Sequence, residues 1–370
     1  MYFKNITIDC FRNIQNSSLE LSPHFNIFYG DNGAGKTSIL EALYYIGMGK
    51  SFRTHLASRV IQNDQHSLKI TAKINDNDAS SHFIGLERHR NGERIIKLDR
   101  EMQVSIAPIL QLLPLQLLSV DSYRYFSDSP KGRRSFLDWG VFHMKQNFLE
   151  LWQSYNRILK QRNSALRHGL TKSEVIIWDN EFIELSQSID LFRSQYLEAF
   201  KPIYQNIFFK LLPKFKTCDI RYKRGWAKDR GLKDILEEHY SRDFALGYTS
   251  SGPHRSDLQL YINKYPADDV LSQGQLKLAA YALHLSQGIL LKQQLNKSPI
   301  YLIDDLPSEL DPEKQMLIIE IIKELSAQVF ITGIVIDTLQ DLAVEEGAKV
   351  FHVKQGQVIQ ALSAENILPL

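Results

Sequence analysis

Eight consecutive residues, Gly30-Asp31-Asn32-Gly33-Ala34-Gly35-Lys36-Thr37, fit the pattern G-x-x-x-x-G-K-[ST]. Their types suit a polyphosphate. Glycines let backbone N–H groups converge on phosphate oxygens without a Cβ in the way. The helix that starts here, with Ser38 in its first turn, adds its positive dipole end. Lys36 brings charge to the β- and γ-phosphates, and the Thr37 hydroxyl suits Mg²⁺. The plainer alternative is an exposed glycine turn that opens a helix, which needs neither the lysine nor the hydroxyl. A second group completes the chemistry. Ile300-Tyr301-Leu302-Ile303 is an apolar run that ends in Asp304-Asp305, so a buried strand delivers two carboxylates. Asp304 is the expected Mg²⁺ ligand opposite Thr37. Asp305 stands where an attacking water would be oriented or deprotonated; otherwise it caps a helix or lies behind the metal. The expected ligands are therefore ATP and Mg²⁺, with Lys36 and Asp305 as the catalytic pair.

The flanking elements support this. Ile27-Phe28-Tyr29 reads as a short buried strand before the loop. Ser38 to Ile46 carries apolar residues at helical spacing, and Gly47-Met48-Gly49 suits a C-cap. Around this core, Met1–Cys10 alternates as a strand, Phe11–Ile14 turns, and Ser18–Leu21 returns antiparallel. Leu68, Ile70, Ala72 and Ile74 alternate with polar partners. Asn91-Gly92 joins two further strands as a hairpin. From about Asp121 the period becomes helical. Val141 to Leu159 predicts one long amphipathic helix and Trp178 to Phe200 a second, which Pro202 should kink or end. Strand character returns near Gly247. The expected fold class is α/β. An ATPase head, with a mixed sheet and an antiparallel β subdomain, is formed by residues 1–120 and 245–370. Residues 121–244 form an inserted α-helical arm or lid.

The bulk numbers exclude several classes. The chain has 370 residues, 44% hydrophobic and 23% charged, an ordinary soluble composition. Two cysteines, Cys10 and Cys218, have no metal spacing and point to a reducing compartment, here the cytoplasm. Neither a secretory signal nor an apolar run of about 20 residues is found, so no membrane association is expected. The net charge of +2 is uninformative, but basic residues cluster. Arg157, Lys160, Arg162, Arg167 and Lys172 form one group. Lys201, Lys210, Lys214, Lys216, Arg221, Lys223, Arg224, Lys228 and Arg230 form another, opposed only by Asp219 and Asp229. Each is either a solvated helical face or a surface for DNA phosphates. The DNA-binding candidates are Arg53, Arg133, Arg134, Lys214, Lys216, Arg221, Lys223 and Arg224. Arg133 and Arg134 serve either DNA or the protein's own packing. His254 and Arg255 either approach the nucleotide or order their turn. No base-reading motif is present, so binding would be to the backbone.

Leu271-Ser272-Gln273-Gly274-Gln275 resembles the signature sequence of the ABC ATPase superfamily, with Gln273 in place of the first glycine. The resemblance implies that Ser272, Gly274 and Gln275 meet the nucleotide held by a second copy, sandwiching ATP in a homodimer. Ser308-Glu309-Leu310-Asp311 resembles that superfamily's D-loop, and Gln116 would be its Q-loop glutamine. One departure stands out. Thr332 and Gly333 occupy the place of the usual switch histidine, so either Thr332 substitutes for it or γ-phosphate sensing is weaker. Gly49–Thr54, Ser129–Trp139 and Gly252–Leu258, together with the paired aspartates, are similar to stretches of the RecF family of bacterial recombination mediators. That resemblance implies an ATPase that dimerises with ATP and binds duplex DNA beside single-strand gaps. It would work with RecR and RecO to load RecA in recombinational repair and replication restart. Because aspartate is one methylene shorter than the usual glutamate, Asp305 predicts slow, DNA-dependent hydrolysis. A transporter-type subunit driving a membrane partner is the competing class. The basic arm and the missing histidine weigh against it.

Overall fold

The computed structural model describes residues 1–75, 80–127, 130–306, 310–334, 342 and 347–360. The chain divides into two compact units, residues 1–122 with 291–370, and residues 123–290.

Among the described residues, the first unit is built on two six-stranded sheets. In one, Ile14–Glu20, Tyr2–Phe11, Ser67–Asn75, Ser81–His89, Arg94–Leu98 and Glu101–Met102 follow in that order, each antiparallel to the next. The alternation of Leu68, Ile70, Ala72 and Ile74 buries all four on one face. The Asn91-Gly92 turn forms as its sequence predicts and sets Arg88 directly opposite Arg94. The other sheet runs Gln357–Gln360, Lys349–Lys354, Phe25–Tyr29, Gln328–Gly333, Ile300–Ile303, Leu115–Leu118. Its pairs are parallel except for the terminal hairpin. Parallel strands are covered on both faces, which is why Ile300–Ile303 and Val329–Ile331 are unbroken apolar runs, every residue buried. The helix Lys36–Met48 follows the strand Phe25–Tyr29. It ends at Gly49, whose φ of +67° is natural for glycine, with its N–H donating to Tyr45 O at 2.8 Å. This is the α/β ATPase-head fold expected.

The second unit is mainly helical. The apolar pattern from Val141 to Leu159 is two helices rather than one, Pro130–Met144 and Phe148–Arg167. They are separated by a turn in which Phe148 N–H donates to Lys145 O at 3.1 Å. Val141, Phe148, Tyr155 and Ile158 are all buried. The turn therefore keeps the apolar phase, and periodicity could not reveal it. Asn147 stands at the start of the second helix, where its side chain makes no capping hydrogen bond. The next helix, Asp179–Leu211, continues nine residues past Pro202 instead of ending there. Proline removes one N–H and crowds one carbonyl. Against that, Phe200, Tyr204, Ile207, Phe208 and Leu211 are buried beyond or beside it. The rings of Tyr196, Phe200, Tyr204 and Phe208 follow one another at centroid spacings of 5.6, 5.9 and 5.9 Å. Side-chain burial outweighs one missing hydrogen bond.

A small antiparallel sheet, Tyr265–Pro266, Asp257–Ile262 and Asp219–Lys223, completes this unit. It explains why the unit runs to Leu290, against the division at 245 expected from sequence. Asp257–Ile262 pairs with Asp219–Lys223, and Arg193 Nη1 donates to Pro253 O at 3.0 Å, so residues 253–262 belong to the helical unit's packing. No helix among the described residues is long and apolar enough to cross a membrane.

Candidate nucleotide-binding site

The loop Gly30–Thr37 is shaped by its neighbours in the first unit. Gly30 has φ +145°, and a Cβ there would stand 2.2 Å from Val353 O. Any other residue would both strain the backbone and collide with main chain. Gly35, at φ +118°, faces Asn13, whose amide would lie 2.9 Å from a Cβ. Asn13 Nδ2 donates to Ala34 O at 3.2 Å, and its Oδ1 accepts from Ser38 Oγ at 2.9 Å. From the other side, Gly356 N–H donates to Ala34 O at 2.7 Å. The turns of two hairpins therefore hold the loop. Sequence reasoning missed both, because Asn13 and Gly356 look like ordinary turn residues. Each sits in a tight turn between two paired strands, and that was the only local signal available.

The residues singled out from the sequence come together here. Lys36 is buried, and its Nζ donates to Gly30 O at 2.5 Å and Asp31 O at 3.0 Å. Burial lowers its pKa, while Asp305, Asp304 and Asp31 pull it back up. Thr37 Oγ1 lies 3.0 and 3.3 Å from the two carboxylate oxygens of Asp304. Thr37 and Asp304 are 267 positions apart in the chain, so the fold makes the pairing expected of a Mg²⁺ site. Burial raises the pKa of Asp304. Hydrogen bonds from Thr332 and Thr37 lower it, Asp305 raises it further, and Arg53 lowers it.

Thr332 is placed where a switch histidine was sought, but it does something different. Its buried hydroxyl donates to Asp304 Oδ1 at 2.8 Å and accepts from Asp305 N–H at 2.8 Å. One side chain thus orients the Asp304 carboxylate and fixes the backbone of the next residue. Asp305 needs that support, since its φ of +57° is uncommon for a non-glycine residue. Behind the helix, Glu41 is fully buried and takes a two-pronged hydrogen bond from Arg12, at 3.0 and 2.7 Å. Arg53 Nη1 approaches the same carboxylate at 3.7 Å and is half exposed. This puts Arg53, read from sequence as a DNA contact, beside the nucleotide site. Gln116 is buried within the strand Leu115–Leu118 opposite Tyr301. The residue level with Asp304 is further on, since Asp304 N–H donates to Leu118 O at 2.9 Å. Gln116 therefore sits two residues short of its strand's end, not on a loop beside Asp304. Ser308 and Glu309 of the expected D-loop lie outside the described residues; Asp311 caps the helix Pro312–Glu324 by accepting from Lys314 N–H at 2.9 Å.

In the second unit, Ser272 and Gln275 cap the helix Gln273–Leu295 reciprocally. Gln275 N–H donates to Ser272 Oγ at 3.4 Å and Ser272 N–H to Gln275 Oε1 at 3.1 Å. Ser272 and Gly274 are exposed, and a Cβ on Gly274 would meet nothing within 4 Å.

The basic residues sort into two kinds. Arg162 and Arg193 are fully buried. Arg162 binds Asp179 and Thr249 at 2.8 Å each and Asp243 at 3.5 Å. Arg193 grips Asp138 at 2.8 and 3.0 Å. Arg162 is therefore no part of a DNA-facing cluster. Arg133 holds Asp257 at 2.8 and 3.2 Å, and Arg134 donates to Ser256 O at 2.8 Å. Of the two readings open for this pair, the internal one is realised. His254 orders its turn: it accepts from Tyr155 Oη at 2.6 Å, is bonded to Thr249 O at 2.9 Å, and burial lowers its pKa to about 4. Lys214, Lys216, Arg221 and Lys223 are exposed. Arg221 stacks 3.9 Å over the Tyr261 ring, and Arg224 lies 4.4 Å over Trp226 and 3.7 Å from Asp190.

The chain matches the model of the RecF/RecN/SMC N-terminal domain over residues 2–359. It is 41% identical to the DNA replication and repair protein RecF of Shewanella denitrificans over 97% of this chain and 99% of that protein. The RecF of Shewanella baltica strain OS223 is equally similar, over the same shares. A solved structure of the recombination mediator protein RecF with ATP, of the RecFOR pathway, superposes with a TM-score of 0.87 at 27% identity, covering 98% of both chains. An SMC head bound to the winged-helix domain of ScpA shares the fold at a TM-score of 0.59 and 16% identity, again over 98% of both chains.

Proposed function

Because the chain belongs to the RecF family, within the wider RecF/RecN/SMC N-terminal-domain family, we propose that it is an ATP-gated DNA-binding switch. ATP brings two copies together on duplex DNA beside single-strand gaps, and slow hydrolysis releases them. With RecR and RecO the assembly supports RecA loading in the cytoplasm. Residues 1–120 and 245–370 act as the ATPase head and 121–244 as its arm, a functional division distinct from the compact units, in which residues 245–290 pack with the arm.

In this reading Lys36 leaves the carbonyls of Gly30 and Asp31 for the β- and γ-phosphates. Thr37 and Asp304 offer a hydroxyl and a carboxylate 3.0 Å apart, an all-oxygen set that suits Mg²⁺. When bound, the ion neutralises charge gathering on the transferred phosphoryl group. Asp305, held by Thr332, orients the attacking water. Its short side chain keeps turnover well below the ~10 s⁻¹ median of enzymes. Exposed Lys214, Lys216, Arg221 and Lys223 meet backbone phosphates.

The observation that carries the dimer is Gly274. Among the described residues nothing stands within 4 Å of a Cβ at Gly274, so none of them requires a glycine there. A close approach from outside gives it a reason, and the capped, exposed helix start beside it is suited to a phosphate. Sedimentation of wild type and Ser272→Arg, with and without ATP, tests this. Wild type should dimerise with ATP and Ser272→Arg should stay monomeric. A wild type that remains monomeric at micromolar concentration with ATP and DNA overturns the sandwich. A variant that dimerises normally overturns the role of Ser272.

A further inference from the structure

A cavity of about 180 Å³ opens in the first unit beyond the C-terminal end of the helix Lys36–Met48, lined by Lys50, His55, Arg88, Arg94, Thr54 and the hydroxyl-bearing ring of Tyr45 among others. No lining residue is acidic. Glu41 raises the Tyr45 pKa only as the last contributor, after burial, which raises it, and Arg88 and Arg94, which lower it. Glu41 is already engaged by Arg12, and Ser51 Oγ donates to it. Cations near a helix C-terminus are favourable, which accounts for one positive side chain but not for the pairing seen.

Arg88 and Arg94 are direct cross-strand partners. Like charges in that position oppose each other. Among the described residues neither forms an ion pair, and the buried Nε of Arg88 has no hydrogen-bond acceptor. A buried guanidinium N–H without an acceptor is costly. Contrast Arg162, Arg193 and Arg133, each of which the same chain supplies with a carboxylate. A protein that pairs its buried arginines elsewhere leaves the half-buried Arg88 and the exposed Arg94, which face each other, unpaired here.

We propose that this cavity is a phosphate site. Arg88 and Arg94 grip one tetrahedral oxyanion, with Lys50 and His55 at its mouth. The phosphate comes either from a duplex DNA backbone or free from solution; the first source rests on the DNA reading given under Proposed function, the second does not. The site differs from the nucleotide loop, because none of its lining residues belongs to Gly30–Ser38.

The test uses the full chain and the double variant Arg88→Gln/Arg94→Gln, with the Arg88 Nε–H signal followed by nuclear magnetic resonance. Inorganic phosphate and a duplex oligonucleotide are titrated separately, and thermal unfolding and ATP binding check the fold. In wild type, phosphate should shift the Arg88 signal saturably. Duplex should do the same, and the double variant should lower the slope of log affinity against log salt by about 0.9 for each DNA phosphate it no longer neutralises. Its ATP affinity should be unchanged, and its unfolding midpoint equal or higher because a like-charge pair is gone. A shift with phosphate but not duplex supports the site and overturns the DNA source. If wild type binds no duplex at all, the DNA reading fails and the phosphate arm alone decides the cavity. An Arg88 signal that moves with neither ligand overturns the proposal. A variant that misfolds is replaced by Arg94→Gln alone, read in the same way.

Discussion

Lys36 and Arg193 are both buried cations, held in opposite ways. Lys36 Nζ is met by two neutral carbonyls at 2.5 and 3.0 Å, and burial lowers its pKa. Arg193 is gripped by both oxygens of Asp138, by Pro253 O at 3.0 Å and by Ser256 Oγ at 2.9 Å, under the ring of Trp152. The first charge is held loosely enough to move to a better anion. The second is satisfied from within and has nothing to offer a ligand. Being basic and buried says little about role; what decides it is whether the chain has already supplied the counter-charge.

The largest expected effect lies on the satisfied side. Arg193→Met leaves Asp138, 17% exposed, without its main partner and should destabilise the second unit by about 3 kcal/mol, the lower end of the range for a broken buried pair. Chemical denaturation measures it. Asp138→Asn/Arg193→Met together should recover part of the loss, because the stranded charge is gone. A loss under about 1 kcal/mol from Arg193→Met would mean the network is not structural. Lys36→Ala is the counterpart. It should lower hydrolysis by about 10²–10³-fold, the range for removing one preorganised donor to a developing charge, while denaturation without nucleotide changes little. If Lys36→Ala unfolded the protein as Arg193→Met should, the contrast between poised and satisfied cations would be false.

The contrast also marks what the sequence made legible. Gly30–Ser38 is a continuous string whose job depends on its own backbone, so its residues and the helix after it were readable from order alone. Asp304 was readable because a buried strand ending in an acid needs only four apolar neighbours. Arg162 was misread because its partners Asp179, Thr249 and Asp243 are 17 to 87 positions away. No local pattern distinguishes it from Arg157 on the same helix. The break at Lys145–Asn147 was invisible because the turn preserves the apolar phase. Pro202 misled because a local rule was outweighed by the burial of Phe200, Tyr204 and Phe208. Thr332 was noticed as a missing histidine, but its bond to Asp304 spans 28 positions and needed the parallel sheet to bring the strand ends together.

Thr332→Val tests a smaller effect at the poised site. Valine keeps the shape and removes the hydroxyl that orients Asp304 and caps Asp305 N–H. Outer partners of metal ligands typically change affinity by about 10–100-fold, so the Mg²⁺ concentration for half-maximal hydrolysis should rise by about that factor. Thr332→Ser should restore most of it. Because burial raises the Asp304 pKa, protons compete with the metal, and the variant's defect should widen as pH falls. The sign follows from the hydrogen bond itself: losing the Thr332 donor removes an influence that lowers the Asp304 pKa, so its carboxylate protonates at higher pH. An unchanged Mg²⁺ requirement would leave Thr332 as packing only.

The smallest effect sharpens the comparison most, because it uses the same helix as Arg162. Arg157 lies five positions earlier, is 64% exposed, and approaches Glu181 at 3.5 Å. Exposed pairs contribute roughly 0–1 kcal/mol, since water screens them and two long side chains must be held still. Arg157→Ala should therefore change unfolding by less than about 1 kcal/mol. Arg162→Met, with Asp243 also fully buried, should cost several times more. The salt dependence of duplex binding reads the same pair the other way. Losing Arg157 lowers the slope by about 0.9 if it meets a phosphate, whereas Arg162→Met leaves the slope of whatever remains folded unchanged. Equal destabilisation by the two would show that exposure does not decide which basic residues the fold keeps for itself. A slope that falls only with Arg162→Met would show that the buried network, not the exposed face, reaches the DNA.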